Sequence, residues 1–147
     1  MKVVLDTNIW ISALLAPRST PGRIVFLVRL GLLQAVSSPV LWKELHRAAG
    51  YSRVRKQLER QGLWEATQEF LKDRPNIFFV EASDPLQNWL PSDPADNHVI
   101  QCALTTLAEK IVTGDKALLH LKQVEGCRIV SPRQFLNELE EMGIVFE

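Results

Sequence analysis

The chain has 147 residues, of which 46% are hydrophobic and 23% charged. That balance belongs to an average folded domain and excludes disordered, collagen-like and coiled-coil chains. Seventeen basic residues face seventeen acidic ones, so no bulk positive charge advertises nucleic acid, and such a partner must be argued from where the charges lie.

The length suits one domain covering residues 1–147. Cys102 lies in an apolar helical run and Cys127 just before an apolar strand. Neither has the spacing of a zinc site, and two buried thiols in a reducing compartment are expected. No apolar run is long enough for a membrane span. Met1 and Lys2 lead straight into a strand without the apolar stretch of a leader, so a cytoplasmic location is expected.

The first apolar run, Val3, Val4 and Leu5, suits a buried parallel strand. Residues 9–15 read as a helix. Thr20 and Pro21 open the next, with Ile24, Leu27, Val28 and Leu30 as its stripe and Gly31 as its stop. Residues 34–37 form a second strand. Pro39 then opens a helix with Leu41, Leu45 and Ala48 on one face and Gly50 at its end. Residues 53–60 and 63–72 give two more helices, split near Gly62. A strand at 77–80, a loop at 84–91 and a helix at 94–109 follow. In that helix Val99, Ile100, Ala103, Leu104 and Leu107 point inward. Strand 111–113, a short helix at 117–121, strand 128–130 and helix 132–142 complete the chain. Strands alternating with helices predict a three-layer α/β/α sandwich on a mostly parallel sheet. Ligands of such sheets bind beyond the strands' carboxyl ends.

Four acids, far apart in sequence, map to that edge. Asp6 directly follows the first strand, and Asp115 follows strand 111–113 after Gly114. Asp96 stands in the first turn of the helix beginning at Pro94, and Glu44 one turn into the helix after the second strand. Each also has a plain structural reading. Asp6 can cap the following helix, and Asp93 and Asp96 fit an N-cap and its capping-box partner. Glu44 can be solvated surface and Asp115 a turn residue. Their joint placement is the signal. Converging carboxylates repel, and a divalent Mg²⁺ or Mn²⁺ relieves the repulsion. Such an ion also polarises phosphoryl oxygens and activates water.

Val4-Leu5-Asp6-Thr7-Asn8, Asp93-Pro94-Ala95-Asp96-Asn97 and Thr113-Gly114-Asp115-Lys116 resemble three motifs of PIN-domain nucleases. The order and spacing cover essentially the whole chain, and the nearest subgroup is the small prokaryotic toxins of toxin–antitoxin pairs (VapC-like). The resemblance implies a Mg²⁺- or Mn²⁺-dependent endoribonuclease, a small antitoxin partner and a homodimer. It assigns Asp6, Glu44, Asp96 and Asp115 as metal ligands and catalytic acids, with Asn8, Thr113 and Asp93 in support. One departure stands out: many relatives carry a further acid where this chain has Ala117, which bears on a second metal.

Lys43, His46, Arg47, Arg53, Arg55, Lys56 and Arg60 crowd the stretch beside Glu44. Of these, Lys43, Arg47, Arg53, Arg55 and Lys56 are the candidates for guiding RNA toward the acids, with Arg18 and Arg23 as additions to the rim. A solvated helix surface explains the same residues. Trp10, Trp42, Trp64 and Trp89 suit core or partner contacts better than base stacking. His46, His98 and His120 have no metal spacing. Two other functions fit less well. A catalytically silent module that binds RNA or protein would explain Ala117. A phosphotransferase with Asp6 as nucleophile would want a second aspartate where Asn8 stands.

Overall fold

A computed structural model describes residues 1–74, 76–79, 88–91 and 94–144. Its elements run β1 (Lys2–Leu5), α1 (Thr7–Leu15), α2 (Thr20–Arg29), β2 (Gln34–Ser37), α3 (Pro39–Ala49), α4 (Ser52–Arg60) and α5 (Trp64–Asp73). Then come β3 (Ile77–Phe79), a 3-10 turn (Pro94–Asp96), α6 (Asn97–Thr106), β4 (Lys110–Val112), α7 (Lys116–Leu121), β5 (Gln123–Val124), β6 (Cys127–Val130) and α8 (Pro132–Glu141). The six strands form one sheet in the order β3-β2-β1-β4-β6-β5. All neighbours pair in parallel except β5 with β6.

Period-two side-chain alternation divides the core into two layers. Val3, Leu5, Ala35, Val112 and Val130 face a cluster built with residues of α1, α2, α3, α5 and α8. Val4, Val36, Ile111 and Ile129 face the opposite cluster, supplied chiefly by α6 and α7. The three-layer α/β/α architecture expected from the sequence is therefore present. Two of the four tryptophans are core. Trp10 and Trp42 meet edge to face at 5.4 Å, both lean on Phe70, and the Trp42 indole donates to Leu71 O at 2.8 Å. Cys102 and Cys127 are buried free thiols, and burial pushes them up to about 12 and about 11. Neither is a reactive thiolate at neutral pH.

Helix starts follow their caps. Ser38 and Ser131 accept from Leu41 N and Gln134 N, each ahead of a proline in the first turn. Ser19, one residue earlier than the expected Thr20, caps α2. The predicted helix 94–109 is shorter than its periodicity suggested. It opens as a 3-10 turn and stops at Thr106, because Leu107 takes a left-handed conformation (φ 56). Leu107 is consequently 83% exposed rather than inward-facing. The predicted loop 84–91 lies within the described residues only from Asn88, and the Val80 end of the third strand and Asp93 lie outside them.

One ion-pair cluster ties α8 to the sheet. Glu138 accepts from Lys110 of β4 at 2.6 Å and from Arg128 of β6 at 2.9 Å. Partial burial pushes the Glu138 carboxyl up, but the hydrogen bonds and charges of Lys110 and Arg128 prevail and hold it below its usual range. Since its folded pKa lies below the unfolded one, the stabilisation is complete above the ordinary glutamate range and is lost as pH falls through the folded value. Glu138→Gln is expected to cost about 1 kcal/mol at neutral pH. The gap from wild type should close as pH falls through the lowered folded value, below the ordinary glutamate range. Urea denaturation at neutral pH and below that range checks this.

Candidate active site at the carboxyl edge of the sheet

Chain order reverses between β1 and β4. From β1 the chain proceeds outward to β2 and β3, then returns across the sheet to β4 on the other side of β1. Such a switch point leaves a crevice at the strands' carboxyl ends. Asp6 stands at the end of β1 and Thr113, Gly114 and Asp115 at the end of β4. The two strand ends are stitched together by the Asp6 N–H, which donates to Val112 O at 3.0 Å.

A short hydrogen-bond chain fixes the acids. Asp6 is 6% exposed. Its Oδ1 accepts from Thr7 N at 2.8 Å, and its Oδ2 accepts from the Thr113 hydroxyl at 2.7 Å and from Asn8 Nδ2 at 3.2 Å. The same Thr113 hydroxyl accepts from Asp115 N at 3.0 Å. Asn8 closes the circuit from the other side, its Oδ1 accepting from Gly114 N at 3.3 Å. Asp115 in turn accepts from Ala117 N at 2.8 Å and Leu118 N at 3.3 Å as the N-cap of α7. Capping and clustering are thus compatible for both aspartates, since the cap is what orients the carboxylate.

Electrostatics report the convergence. Burial raises the Asp6 carboxyl above its ordinary range, the hydrogen bonds from Thr113 and Thr7 pull against this, and the charges of Asp115 and Glu44 push it further up. Three of the four predicted acids therefore share one field. Glu44 is half-buried on α3, whose predecessor β2 lies next to β1. Asp96 is half-buried at the start of α6, and its side chain closes no cap bond with the described amides of that helix. Helix α6 packs along β1, β2 and β4 and touches α3. A helix feeding a parallel strand starts at the edge where the preceding strands end, which puts Asp96 on the same rim.

Buried Thr113, 0% exposed, links both aspartates. Thr113→Val keeps the shape but removes an acceptor from Asp115 N and a donor from Asp6. A loss of about 1–3 kcal/mol is expected, with Thr113→Ser close to wild type, as read by chemical denaturation.

The basic residues of α3 and α4, namely Lys43, His46, Arg47, Arg53, Arg55, Lys56 and Arg60, are all exposed. Arg55 is held by Glu59 at 2.6 Å and lies 4.3 Å over the Trp64 ring. Trp64 and Trp89 are half-buried, and Trp89 packs on the α6 side of the core. The polar residue that sequence reasoning missed is Asn97. It is 4% exposed and bonded at both ends of its amide. Its position directly after Asp96, inside an apolar stripe, was the available signal.

The donors gathered here are carboxylate and hydroxyl oxygens, the set that hard divalent cations prefer. Among the described residues no three acidic, histidine or cysteine side chains form a ready-made metal cage. An ion would then be shared between a few carboxylates, water and substrate oxygen, as Mg²⁺ usually is.

The chain is 29% identical over 151 residues to an uncharacterized protein of Methanocaldococcus jannaschii, covering 96% of this chain and 93% of that one. No solved structure matches. A family model described as PIN domain matches residues 2–117, from β1 to the start of α7, a span containing all four acids. The chain belongs to the PIN domain family, whose fold is of the nuclease type.

Proposed function

We propose that the protein is a Mg²⁺- or Mn²⁺-dependent endoribonuclease that hydrolyses RNA phosphodiester bonds at the rim formed by Asp6, Glu44, Asp96 and Asp115. The observation that carries this reading is the state of Asp6. Burial first, and then the charges of Asp115 and Glu44, push its carboxyl up, while hydrogen bonds from Thr113 and Thr7 favour its charged form. Bringing like charges into one crevice is costly without a cation, and a divalent ion converts the cost into binding.

Asp6, Asp115, Glu44 and Asp96 are the residues that would hold the ion. When bound, it would polarise the phosphoryl oxygen and supply an activated water. Thr113 and Asn8 aim Asp6 by donating to its Oδ2, and the Thr113 bond favours its charged form. The first amides of α1 and α7 are taken up by Asp6 and Asp115 as caps, which orients both carboxylates. Exposed Lys43, Arg47, Arg53, Arg55 and Lys56 lie on α3 and α4, next to Glu44 in sequence, and would guide the RNA backbone toward the acids.

The test is incubation of purified protein with structured and unstructured RNA in Mn²⁺ or in EDTA. Mn²⁺-dependent cleavage is expected. Cleavage that survives EDTA overturns the metal reading. Cleavage of no nucleic acid favours a silent binding module, for which Ala117 in place of an acid is the supporting feature.

The motif resemblance supports a toxin role, a homodimer and a small antitoxin partner. A groove of about 450 Å³ between α1, α2 and α5 suits that partner. Trp10 and Phe70 line it, and Arg18, Arg23 and Arg29 supply positive charge for an acidic amphipathic segment. Growth arrest on induction, relieved by the product of a small adjacent gene, supports the role. Unaffected growth with active protein present contradicts it.

A further inference from the structure

We propose that Asn97 is a positioning residue that sets the place of Asp96 by clamping the segment entering α6 onto that helix's first turn. The inference rests on the metal-nuclease reading and concerns how one acid of that site is held.

Asn97 is the first residue of α6 and is 4% exposed. Both halves of its side-chain amide are engaged across a stretch of chain. Its Oδ1 accepts from Leu90 N at 3.0 Å, and its Nδ2 donates to Asn88 Oδ1 at 2.7 Å. Leu90 is itself 7% exposed and belongs to the core cluster under α6, with Trp89 packed against it. The apolar contact and the two hydrogen bonds therefore nail residues 88–90 to the start of the helix.

A buried amide is costly unless satisfied, so these bonds specify one arrangement rather than add loosely to stability. Asp96 is the last residue of the 3-10 turn and stands directly before Asn97. Its backbone is fixed on the C-terminal side by Asn97 and, through that residue, by the incoming chain. Helix α6 is in turn seated on β1 and β4, the strands that carry the other two aspartates. Loosening Asn97 therefore loosens the helix start on which Asp96 stands. Outer groups that orient metal ligands commonly change metal affinity by about 10–100-fold when removed.

The measurement is Mn²⁺ binding by titration calorimetry, with RNA cleavage across a Mn²⁺ series as a second readout. Asn97→Ala is expected to weaken Mn²⁺ binding about 10-fold or more, and to shift the cleavage curve to higher Mn²⁺. Asn88→Ala removes one end of the clamp and should have a smaller effect in the same direction. Asn88→Asp preserves an acceptor for Asn97 Nδ2 and should bind Mn²⁺ like wild type. If Asn97→Ala proves too unstable, the Asn88 pair alone decides. Wild-type affinity in Asn97→Ala, or equal affinities for Asn88→Ala and Asn88→Asp, overturns the inference while leaving the nuclease reading intact. Absence of Mn²⁺ binding in wild type removes the nuclease reading itself.

Discussion

Asp6→Asn is expected to lower Mn²⁺-dependent RNA cleavage by about 10³-fold or more, equivalent to about 4 kcal/mol of transition-state stabilisation, in a protein that still folds. Asparagine fits the space and keeps one oxygen for the Thr7 amide, so the cap of α1 survives. Removing one acceptor from the Thr113 and Asn8 donors costs about 1–2 kcal/mol, partly offset by deleting a buried charge that Asp115 and Glu44 repel. Loss of activity with little change in melting temperature would thus locate the defect in the chemistry.

The pH dependence has a definite sign. The Asp6 carboxyl binds its proton more tightly in the folded protein than in the unfolded chain. Metal-free stability should therefore fall as pH rises from the ordinary aspartate range through the raised folded value, as linkage requires. Asp6→Asn should flatten that decline, and Mn²⁺ should counter it in wild type by binding the ionised form. Thermal melts across pH, with and without Mn²⁺, read all three effects.

The second large effect separates charge from capping at Asp115. Its Oδ1 holds the first amides of α7, a role asparagine can also perform. Asp115→Asn should keep the helix start and still lose on the order of 10²-fold in cleavage, the scale seen when one oriented electrostatic group is removed. Asp115→Ala should lose as much activity and about 1 kcal/mol of stability besides. Full activity in Asp115→Asn, with loss only in Asp115→Ala, would reduce Asp115 to a cap.

The sequence made the site more legible than some of the elements around it. Strand ends are short apolar runs followed at once by a polar residue, so Asp6 and Asp115 could be placed from pattern alone, and parallel topology did the rest. Where the pattern failed, local backbone geometry prevailed. Periodicity carried α6 on to Glu109, but Leu107 turned left-handed and faced solvent. The β5–β6 hairpin went unseen because its turn places Glu125 and Gly126 at positive φ (46 and 85). Glutamate lacks the local hydrogen bonding that marks Asn-Gly or Asp-Gly turns. Asn97 was passed over because a buried amide inside an apolar stripe reads as surface until its partners are known. Capping and catalysis looked like rival readings of Asp6 and Asp115, yet helix starts gather at the strand ends where ligands bind, so a cap and the proposed metal ligand can be one carboxylate.

In the proposed site, acids at the ends of β1 and β4, on α3 and at the start of α6 share one divalent ion at the switch point of the sheet. A crystal soaked in Mn²⁺ and measured at the manganese edge tests it most directly. An anomalous peak is expected within bonding distance of carboxylate oxygens of Asp6 and Asp115, with Glu44 and Asp96 around it. A Mn²⁺-free cleft in a crystal of cleavage-competent protein, or a peak remote from Asp6, would contradict it.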